Sequence, residues 1–457
     1  MHDLDGTGGS GLGGSGLGGS GLGGSAPGDL TVDVAGLTRV EGEGSLRLRV
    51  RDGQVEEAHL QIFEAPRYFE QLVVGRRPDE VVDIVARICG ICPVAYQVTA
   101  VHAFEAGLGI TIDPAVRALR RLLYCGEWIE SHALHVYLLH LPDFLGYPSA
   151  LELARDRRDA VEAGLALKKT GNRIVEVIGG RAIHPVSVRV GGFSRTFRRS
   201  EIRALREPLE TALRIAERTV DLVADLPTPA FTRSGPLVAL RHPTEYPMNE
   251  GRIVSTAGLD IPPTAWTSAF AETQVPWSHA LQARDLDGRA YLLGPSSRLA
   301  LAGDRLHPLA AAALTRTGLA TEIATNPYRS VVARAIEIVD AVAEAIDLVE
   351  TWAPAADARV PWSAGPATAA WATEAPRGLI FHAYELDDRG LVASARIVPP
   401  TSQNQAAIEA DLAAFAPSVL GLPRAEAVLR LEQLIRSYDP CISCATHFLD
   451  LTLEEVS

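Results

Sequence analysis

"RICGIC" (Arg87–Cys92) and "DPCISCATH" (Asp439–His447) each hold a Cys-x-x-Cys pair, in a chain that has only five cysteines. At a turn or a helix start, this spacing points both sulfurs of a pair at one place, and Gly90 is expected to let the first turn close tightly. Two pairs supply four thiolates, enough for a tetrahedral or distorted metal site. Cys441 follows Cys89 by 352 residues, so such a site would hold the first and last parts of the fold together.

Spacing alone leaves three explanations for these cysteines. A structural zinc site is one, although zinc ribbons place their pairs roughly 15–20 residues apart. Closing a loop this long is also a costly way to build a mere staple. Four buried thiols that act as small apolar side chains are the second explanation. The third, which the separation favours, is a catalytic metal site.

Composition restricts the class of protein. The chain has 457 residues, 47% of them hydrophobic and 22% charged, which is typical of a soluble globular protein with a large core. The net charge of −13 argues against a nucleic-acid surface. No apolar run reaches the length of a membrane span, and no secretory signal is visible. Five cysteines do not suggest a disulfide framework, so the expected location is the reducing cytoplasm.

The beginning of the chain differs from the rest. "GSGLGGSGLGGSGLGGS" (Gly9–Ser25) repeats a Gly/Ser-rich unit that is typical of a flexible linker, engineered or natural. Residues 1–29 are therefore treated as a leader. The folded part then alternates apolar and polar residues, as half-buried strands do, and "RDGQ" (Arg51–Gln54) predicts a hairpin turn.

Helical patterns fill most of the remaining chain. "DPAVRALRRLLYCGEWIESHALHVYLLHL" (Asp113–Leu141) spaces apolar residues by three and four, with Asp113 as N-cap and Pro114 at the first helical position. Further helices are predicted at about 148–170, 199–224, 325–351, 404–416 and 424–436, and loops with short strands at 226–300. The predicted fold is mainly α with a small N-terminal β-sheet (α+β), and residues 30–447 contain no clear domain boundary.

The residues around the cysteine pairs resemble the large, catalytic subunit of [NiFe]-hydrogenases. Other blocks of that family follow in order: "TRVEGEG" (Thr38–Gly44), "RYFEQLVVGRRP" (Arg67–Pro78), "GGRAIHPVSVRVGG" (Gly179–Gly192), "APRG" (Ala375–Gly378) and "VPPTSQN" (Val398–Asn404). The resemblance spans about residue 30 to 447. It implies the family's long-helix bundle and an enzyme that reversibly splits H2 into protons and electrons.

The resemblance implies a specific metal centre, Ni-Fe(CN)2(CO), held by Cys89, Cys92, Cys441 and Cys444. Cys92 and Cys444 would bridge nickel to the iron that carries carbon monoxide and cyanide, while the other two bind nickel alone. Soft thiolates suit nickel in such a site. A terminal thiolate, Cys441, is also a credible base for the proton released when H2 splits.

Two charged groups are expected beside the centre. Arg377 would hold its guanidinium over the open metal position, where a permanent charge can act without titrating. Asp439 is the expected ion-pair partner of Arg377, or an N-cap for the turn at Pro440, or both. Glu41 is the proton-relay candidate by resemblance, although sequence alone does not distinguish it from an exposed strand glutamate such as Glu43.

The remaining implied residues surround the centre. Thr401 and Ser402 would donate hydrogen bonds to a cyanide ligand, with Pro376 nearby and a buried His184 in a structural role. Glu70 and His447 would bind a magnesium ion, although Glu70 could equally be an ordinary helix-surface residue. Cys125 lies among apolar residues in a predicted helix and is expected to be an inert core thiol.

One departure indicates the branch of the family. Where many members carry a histidine, "CPVAYQ" places Tyr96 followed by Gln97, which resembles the cytoplasmic, bidirectional, NADP-linked sulfhydrogenases; an F420- or NAD-linked branch is the alternative. Tyrosine does not titrate near pH 7. A relative in the quinone module of respiratory complexes shares the fold but lacks the cysteine pairs, which this chain has.

The chain needs partners. It contains no cysteine run for an iron–sulfur cluster and no dinucleotide fingerprint. Electrons are therefore expected to pass to an iron–sulfur small subunit, and then to diaphorase subunits that carry FAD and NADP. By resemblance, a maturation endopeptidase removes residues 448–457, "FLDLTLEEVS", after His447.

Overall fold

The N-terminal sheet forms as the alternation predicts. The computed structural model describes residues 29–446, so the leader up to residue 28, His447 and the tail fall outside the described residues. Strands β1 (Leu30–Val34), β2 (Gly44–Arg51) and β3 (Gln54–Ile62) pair antiparallel in that order. Asp52 and Gly53 both have positive φ, 50° and 72°, as a two-residue type I′ hairpin requires.

Helices dominate the rest of the described chain, as predicted. Their bounds are α1 Phe69–Leu72, α2 Pro78–Val85, α3 Pro93–Leu108, α4 Pro114–Ala133, α5 Leu141–Leu145, α6 Ala150–Asp156, α7 Arg158–Gly179, α8 Arg199–Arg203, α9 Arg206–Ala224, α10 Pro295–Ala302, α11 Pro308–Thr317, α12 Ala320–Thr325, α13 Ser330–Thr351, α14 Pro400–Phe415, α15 Arg424–Ser437 and α16 Ile442–Ala445. The Asp113 carboxylate caps α4 by accepting a hydrogen bond from the amide of Ala115, which confirms the predicted helix start.

Several predicted bounds shift for local reasons. The run predicted to end at Leu141 leaves α-helical geometry at Leu134 and continues as a π-helix to His140, just before Pro142, which has no amide hydrogen to donate. The predicted helix at 148–170 breaks at Arg157 and runs on to Gly179, and α13 begins five residues later than predicted. Boundaries follow caps and prolines that periodicity does not resolve.

The long helices α3, α4, α7, α9 and α13 form the core of the bundle. α4 packs against both α7 and α13, and α9 packs against α13 and, to a lesser extent, against α7. A three-stranded antiparallel sheet of β11 (Ala367–Ala375), β12 (Gly378–Leu386) and β13 (Val392–Val398) lies against α3. This arrangement confirms the expected long-helix bundle.

The short strands lie where the irregular sequence predicts them. Strands β6 (Val238–Arg241), β7 (Arg252–Ser255) and β8 (Asp260–Ile261) form one small sheet, and β9 (Phe270–Thr273) pairs with β10 (Gln282–Asp285). The strands β4 (Val188–Arg189) and β5 (Gly192–Phe193) form a separate two-residue pair. Between residues 29 and 446, no helix is both long and apolar enough to cross a bilayer.

The two ends of the fold are joined by backbone hydrogen bonds. The amide of Ile442 donates to the carbonyl of Glu41 at 2.9 Å, and the amide of Arg67 donates to the carbonyl of Thr446 at 2.6 Å. Helix α14 also packs on β3 and on α16. The C-terminal cysteine pair therefore lies beside the N-terminal sheet, as the separation of the pairs required.

The crossing of α4 and α7 predicts a measurable stability effect. A Cβ placed on Gly171 would lie 2.5 Å from the carbonyl oxygen of Gly126 and 2.6 Å from the amide nitrogen of Glu130. Gly171→Ala should therefore lower the stability by about 1–3 kcal/mol, although alanine is the better helix former. Gly303 has helical φ and ψ and open space around its Cβ, so Gly303→Ala is the control. Thermal unfolding compares the two, and equal melting temperatures would contradict this account of the crossing.

Candidate metal centre

The four paired cysteines meet at one buried place. Cys89 and Cys92 lie between the 3₁₀ turn Ala86–Ile88 and the start of α3, while Cys441 and Cys444 lie at the start of α16. All four side chains are at most 3% exposed. One sulfur from each residue lies within 4.8 Å of the others, although the two pairs come from opposite ends of the chain.

The sulfur positions suit a metal. Cys89 and Cys441 have their sulfurs 3.5 Å apart, and Cys92 and Cys444 are 3.7 Å apart. A tetrahedral ion with metal–sulfur bonds of about 2.3 Å would separate its sulfurs by about 3.8 Å. Cys441 and Cys444 lie closer, at 2.7 Å, and no disulfide joins any of the four. Burial raises the pKa of the Cys441 thiol, so a bound cation would be needed to keep this thiol deprotonated.

The first cysteine turn does not depend on its glycine in the expected way. The φ of Gly90 is not positive, and a Cβ at this position would meet no atom within 4 Å. The turn is instead tied by amide hydrogen bonds, because the amides of Ile91 and Cys92 each lie 3.3 Å from the Cys89 sulfur. The expected steric need for glycine at this position was wrong.

Glu41 is the carboxylate that reaches the cysteines. Its Oε2 lies 3.1 Å from the Cys441 sulfur and accepts a hydrogen bond of 3.1 Å from the amide of Ser443. Glu41 is half-buried, whereas Glu43 is exposed and its amide bonds to Glu64 instead. The structure thus separates two glutamates that the sequence pattern alone left equivalent.

Arg377 lies at the tip of a buried hairpin. Pro376 and Arg377 form the two-residue turn between β11 and β12, and the Arg377 side chain is 3% exposed. Its Nε donates to the Asp439 backbone carbonyl at 3.0 Å and lies 3.2 Å from the carboxylate Oδ2. Burial disfavours the charged guanidinium, but the Asp439 carboxylate and the nearby thiolates outweigh it, so its pKa is well above the ordinary value. This is the ion pair expected from the sequence.

Arg377 also has a free donor. Its Nη1 is buried and has no hydrogen-bond partner among the described residues. An unsatisfied buried donor is costly unless a further group completes the site. Together with four convergent thiols, it fits a centre that carries additional acceptor ligands.

The other expected neighbours are placed less uniformly. Thr401 and Ser402 begin α14 and are buried, and Thr401 Oγ1 accepts a hydrogen bond of 3.0 Å from the Cys441 amide. Ser402 donates to the Pro399 carbonyl at 3.0 Å. His184 is half-buried rather than buried, and its Nδ1 lies 2.7 Å from the Ala86 carbonyl, just before the first cysteine pair. The contact of His184 is with the backbone that leads to Cys89.

Glu70 lies next to a second carboxylate. Its Oε1 accepts a hydrogen bond of 2.6 Å from the Ile397 amide. Burial and the neighbouring Glu70 charge raise the pKa of Glu272 to about 8. Two neighbouring carboxylates, of which the Glu272 side chain is buried and Glu70 is half-buried, suit a hard cation such as magnesium. The other expected ligand, His447, lies outside the described residues.

Tyr96 and Cys125 behave as their sequence context indicates. Tyr96 is fully buried in the first turn of α3, where burial and the charges of Cys444 and Cys92 raise its pKa well above the ordinary value. It is therefore neutral at physiological pH. Cys125 lies inside α4, away from the four-sulfur cluster, and burial raises its pKa too. Both observations agree with the expectation that neither residue transfers protons.

Two residues that hold the site in place were not predicted from the sequence. The Glu127 carboxylate accepts hydrogen bonds from the amides of Val94 and Ala95, which cap the start of α3 directly after Cys92. Arg298 donates to the carbonyls of Ala375 and Pro376 and pairs with Glu374, so it holds the hairpin that carries Arg377. The one sequence signal for either is a charged residue on an otherwise apolar helix face.

Comparisons with known proteins agree with this centre. A family described as nickel-dependent hydrogenase matches residues 67–164 and 285–447. The alpha chain of sulfhydrogenase 2 from Pyrococcus furiosus is 32% identical over 430 residues, which cover 92% of this chain and 100% of the relative. An F420-non-reducing hydrogenase chain of Methanothermobacter marburgensis is 30% identical, over 91% of this chain and 94% of the relative.

Solved structures show the same fold. An NAD+-reducing [NiFe]-hydrogenase in the H2-reduced state superimposes with a TM-score of 0.82 at 28% identity, covering 92% of this chain and 100% of that chain. A [NiFeSe] hydrogenase of Desulfovibrio vulgaris Hildenborough, at 22% identity and a TM-score of 0.74, covers the same share of each chain and shares the fold. With four buried thiols gathered from both ends of the sequence, the chain belongs to the nickel-dependent hydrogenase family, as a large subunit.

Proposed function

We propose that this protein reversibly splits H2 into protons and electrons at a nickel–iron centre held by Cys89, Cys92, Cys441 and Cys444. The observation that supports this most directly is the contact of Glu41 with the Cys441 sulfur, beside the buried Arg377. A base, a relay carboxylate and a fixed positive charge then surround one four-thiolate site. A zinc staple needs neither the relay carboxylate nor the fixed positive charge, and none of its thiolates needs to act as a base.

When bound, the nickel–iron group would supply the Lewis-acidic position at which H2 is polarised and two electrons are accepted. Each of the two protons of H2 would pass in turn to the Cys441 sulfur and then to Glu41 Oε2, which lies 3.1 Å away. Ser443 steadies the same Glu41 oxygen through its amide. From Glu41 the proton leaves toward solvent, because Glu41 lies at the partly exposed edge of the cluster.

Arg377 contributes a charge that does not titrate. Because Asp439 holds the guanidinium by its side chain and its backbone carbonyl, the positive charge stays at a fixed place while H2 is cleaved. The unsatisfied Nη1 donor faces no other described partner and is available to orient a ligand of the centre. By resemblance to the family, Cys92 and Cys444 would be the thiolates that also hold iron.

The ligands on iron would lie near the start of α14. Thr401 uses its oxygen to accept from the Cys441 amide, so its hydroxyl proton remains available to a cyanide ligand. The Ser402 hydroxyl donates to the Pro399 carbonyl, so Ser402 would line the site with Pro376 and leave the cyanide hydrogen bond to Thr401. His184 would act on the site through the backbone at Ala86. Glu70, with Glu272 beside it and His447 beyond the described residues, would hold a magnesium ion.

Electrons must leave through another chain. Large subunits of this family work with a small subunit, which we propose carries the iron–sulfur clusters, with FAD and NADP on diaphorase subunits. The similarity to an NAD+-reducing [NiFe]-hydrogenase supports a pyridine-nucleotide acceptor. Assays of the purified complex with NADP, NAD and F420 distinguish the branches.

Five cysteines, none of them in a disulfide, support a cytoplasmic location, which cell fractionation tests.

Elemental analysis tests the two proposed metal sites independently. The mature protein should contain nickel and iron in roughly equal amounts, plus magnesium. Cys89→Ala should lose nickel because one of four ligands is removed, whereas Cys125→Ala, a matched buried cysteine, should keep it. Glu70→Gln should lower magnesium and leave nickel in place. Zinc alone in the wild-type protein would reject the proposed function.

Substitution of the two nearby glutamates tests the proton route. Glu41→Gln keeps the shape but removes the proton acceptor beside Cys441, so H2 oxidation should fall by about 100-fold. The exchange of deuterium between D2 and the protons of water should fall by a similar factor. Glu43→Gln is the control, because Glu43 is exposed and does not contact the cysteines. Equal activity of the two variants, at equal nickel content, would contradict the assignment.

Intact-mass measurement tests the proposed maturation step. The nickel-loaded chain should end at His447, because ten further residues with three acidic side chains are difficult to bury beside the buried Cys444. Metal-free chain from cells without the endopeptidase should keep residues 448–457. A nickel-loaded, active chain that retains the full tail would refute cleavage as part of maturation.

A further inference from the structure

One carboxylate beside the metal centre faces two buried arginines. Arg377 contacts Asp439 as described above, and Arg334 approaches from the opposite element, α13, with its Nε 3.9 Å from Asp439 Oδ2. Both arginines and the aspartate are at most 3% exposed. Water cannot screen these charges, so a shift of one guanidinium changes the preferred position of the Asp439 carboxylate. A shift of that carboxylate in turn moves the other guanidinium.

Arg334 also holds the backbone that leads to Asp439. Its Nη1 donates to the Ser437 carbonyl at 3.1 Å and to Ser330 Oγ at 3.0 Å, and Ser330 Oγ donates to the same Ser437 carbonyl at 2.5 Å. Ser437 ends α15, and Asp439 follows in the left-handed region with φ of 53°. Such a conformation is costly for a non-glycine residue and persists where neighbours enforce it. Arg334 and Ser330 are two of those neighbours.

The charge of Arg334 persists at neutral pH. Burial lowers its pKa to about 10, against the attraction of Asp439 and of Glu337, one turn further along α13. Arg334 does not contact the cysteines directly in any described hydrogen bond or ion pair. Its influence on the site therefore passes through Asp439.

We propose that Arg334 is a positioning residue for H2 cleavage: it anchors Asp439 by charge and by the Ser437 carbonyl, and Asp439 in turn fixes Arg377 over the four thiols. This inference rests on the proposed function. Without Arg334, Arg377 alone would set the Asp439 carboxylate, and the turn before Cys441 would keep only the Ser330 hydroxyl as an anchor at the Ser437 carbonyl. The guanidinium would then move relative to the reacting position, and displacements of about 1 Å can cost up to about 100-fold in rate.

The experiment compares Arg334→Gln, Arg334→Lys and wild type, each purified with its partner subunits. In Arg334→Gln, kcat for H2 oxidation per bound nickel should fall by about 10- to 100-fold, with KM for H2 within about twofold of wild type. Infrared bands of the iron-bound ligands should shift at unchanged nickel content. Arg334→Lys keeps the charge but not the fork of donors, so it should recover part of the rate.

Arg121→Gln is the matched control. Arg121 is 2% exposed and pairs with Glu344, which lies on the same helix α13, ten residues and about 15 Å beyond Arg334. Breaking this pair should lower the melting temperature without changing activity per nickel or the infrared bands. This control distinguishes the general effect of losing any buried charge pair from the specific effect of losing the pair at Asp439.

The Arg334→Gln variant is expected to fold. A cavity of about 20 Å³ lies beside Arg334, lined also by Ser296, Ser330 and Ser437, and is large enough for a water molecule that can replace the lost hydrogen bonds. If Arg334→Gln still fails to fold, Ser330→Ala carries the test, because it removes the hydroxyl that accepts from Arg334 and donates to the Ser437 carbonyl, while the direct Arg334–Ser437 hydrogen bond remains. Ser330→Ala should show a smaller loss in the same direction.

The possible results separate cleanly. Unchanged kcat per nickel in Arg334→Gln, a loss that only follows nickel content, or lysine as impaired as glutamine would each overturn the positioning role. Wild-type rates in Ser330→Ala would overturn it where the glutamine variant does not fold. A wild-type complex without nickel or without H2 activity would instead reject the proposed function itself, before any variant is compared.

Discussion

The fold depends on one requirement: four thiols from opposite ends of the sequence must lie within 4.8 Å of one another, out of contact with water. Each end is held there by the other. The carbonyl of Glu41 pairs with the amide of Ile442, so the strand region that supplies the relay carboxylate also fixes the second cysteine pair. On the other side, Glu127 caps the helix that starts after Cys92. The long helices supply the core against which these short, irregular segments are held.

Charge is the second organising feature around the cluster. Burying arginines and carboxylates is costly unless each is paired and hydrogen-bonded. Here Arg298 bridges Glu337 and Glu374 while also holding the hairpin at Pro376, and Asp439 lies between Arg334 and Arg377. The result is a rigid positive group next to thiolates, set by side chains from α10, α13 and the turn before α16. Rigidity of this kind is what electrostatic catalysis requires, because the charge does not need to reorganise during the reaction.

Local patterns predicted much of this structure. The Asp-Gly hairpin, the Asp113 cap and the helix-rich bundle follow from period, turn chemistry and capping, and the cysteine spacing with its flanking blocks predicted a shared site. Helix boundaries near Pro142 and Arg157 were missed because caps, prolines and π-helical turns override periodicity. The alternation of residues did not distinguish Glu41 from Glu43; the resemblance favoured Glu41, and the contact of Glu41 with the Cys441 sulfur separates the two. Arg298, Arg334 and Glu127 were missed because buried ion pairs across distant helices leave no periodic signal.

The central claim is that the four thiols hold nickel and an iron that carries carbon monoxide and cyanide. Infrared spectroscopy of the nickel-loaded protein tests it most directly, since no protein group absorbs where metal-bound carbon monoxide and cyanide do. The account predicts one band from carbon monoxide and two from cyanide, all lost together with nickel binding in Cys89→Ala. A fully metal-loaded protein without these bands would contradict the account and leave a four-thiolate site of another kind.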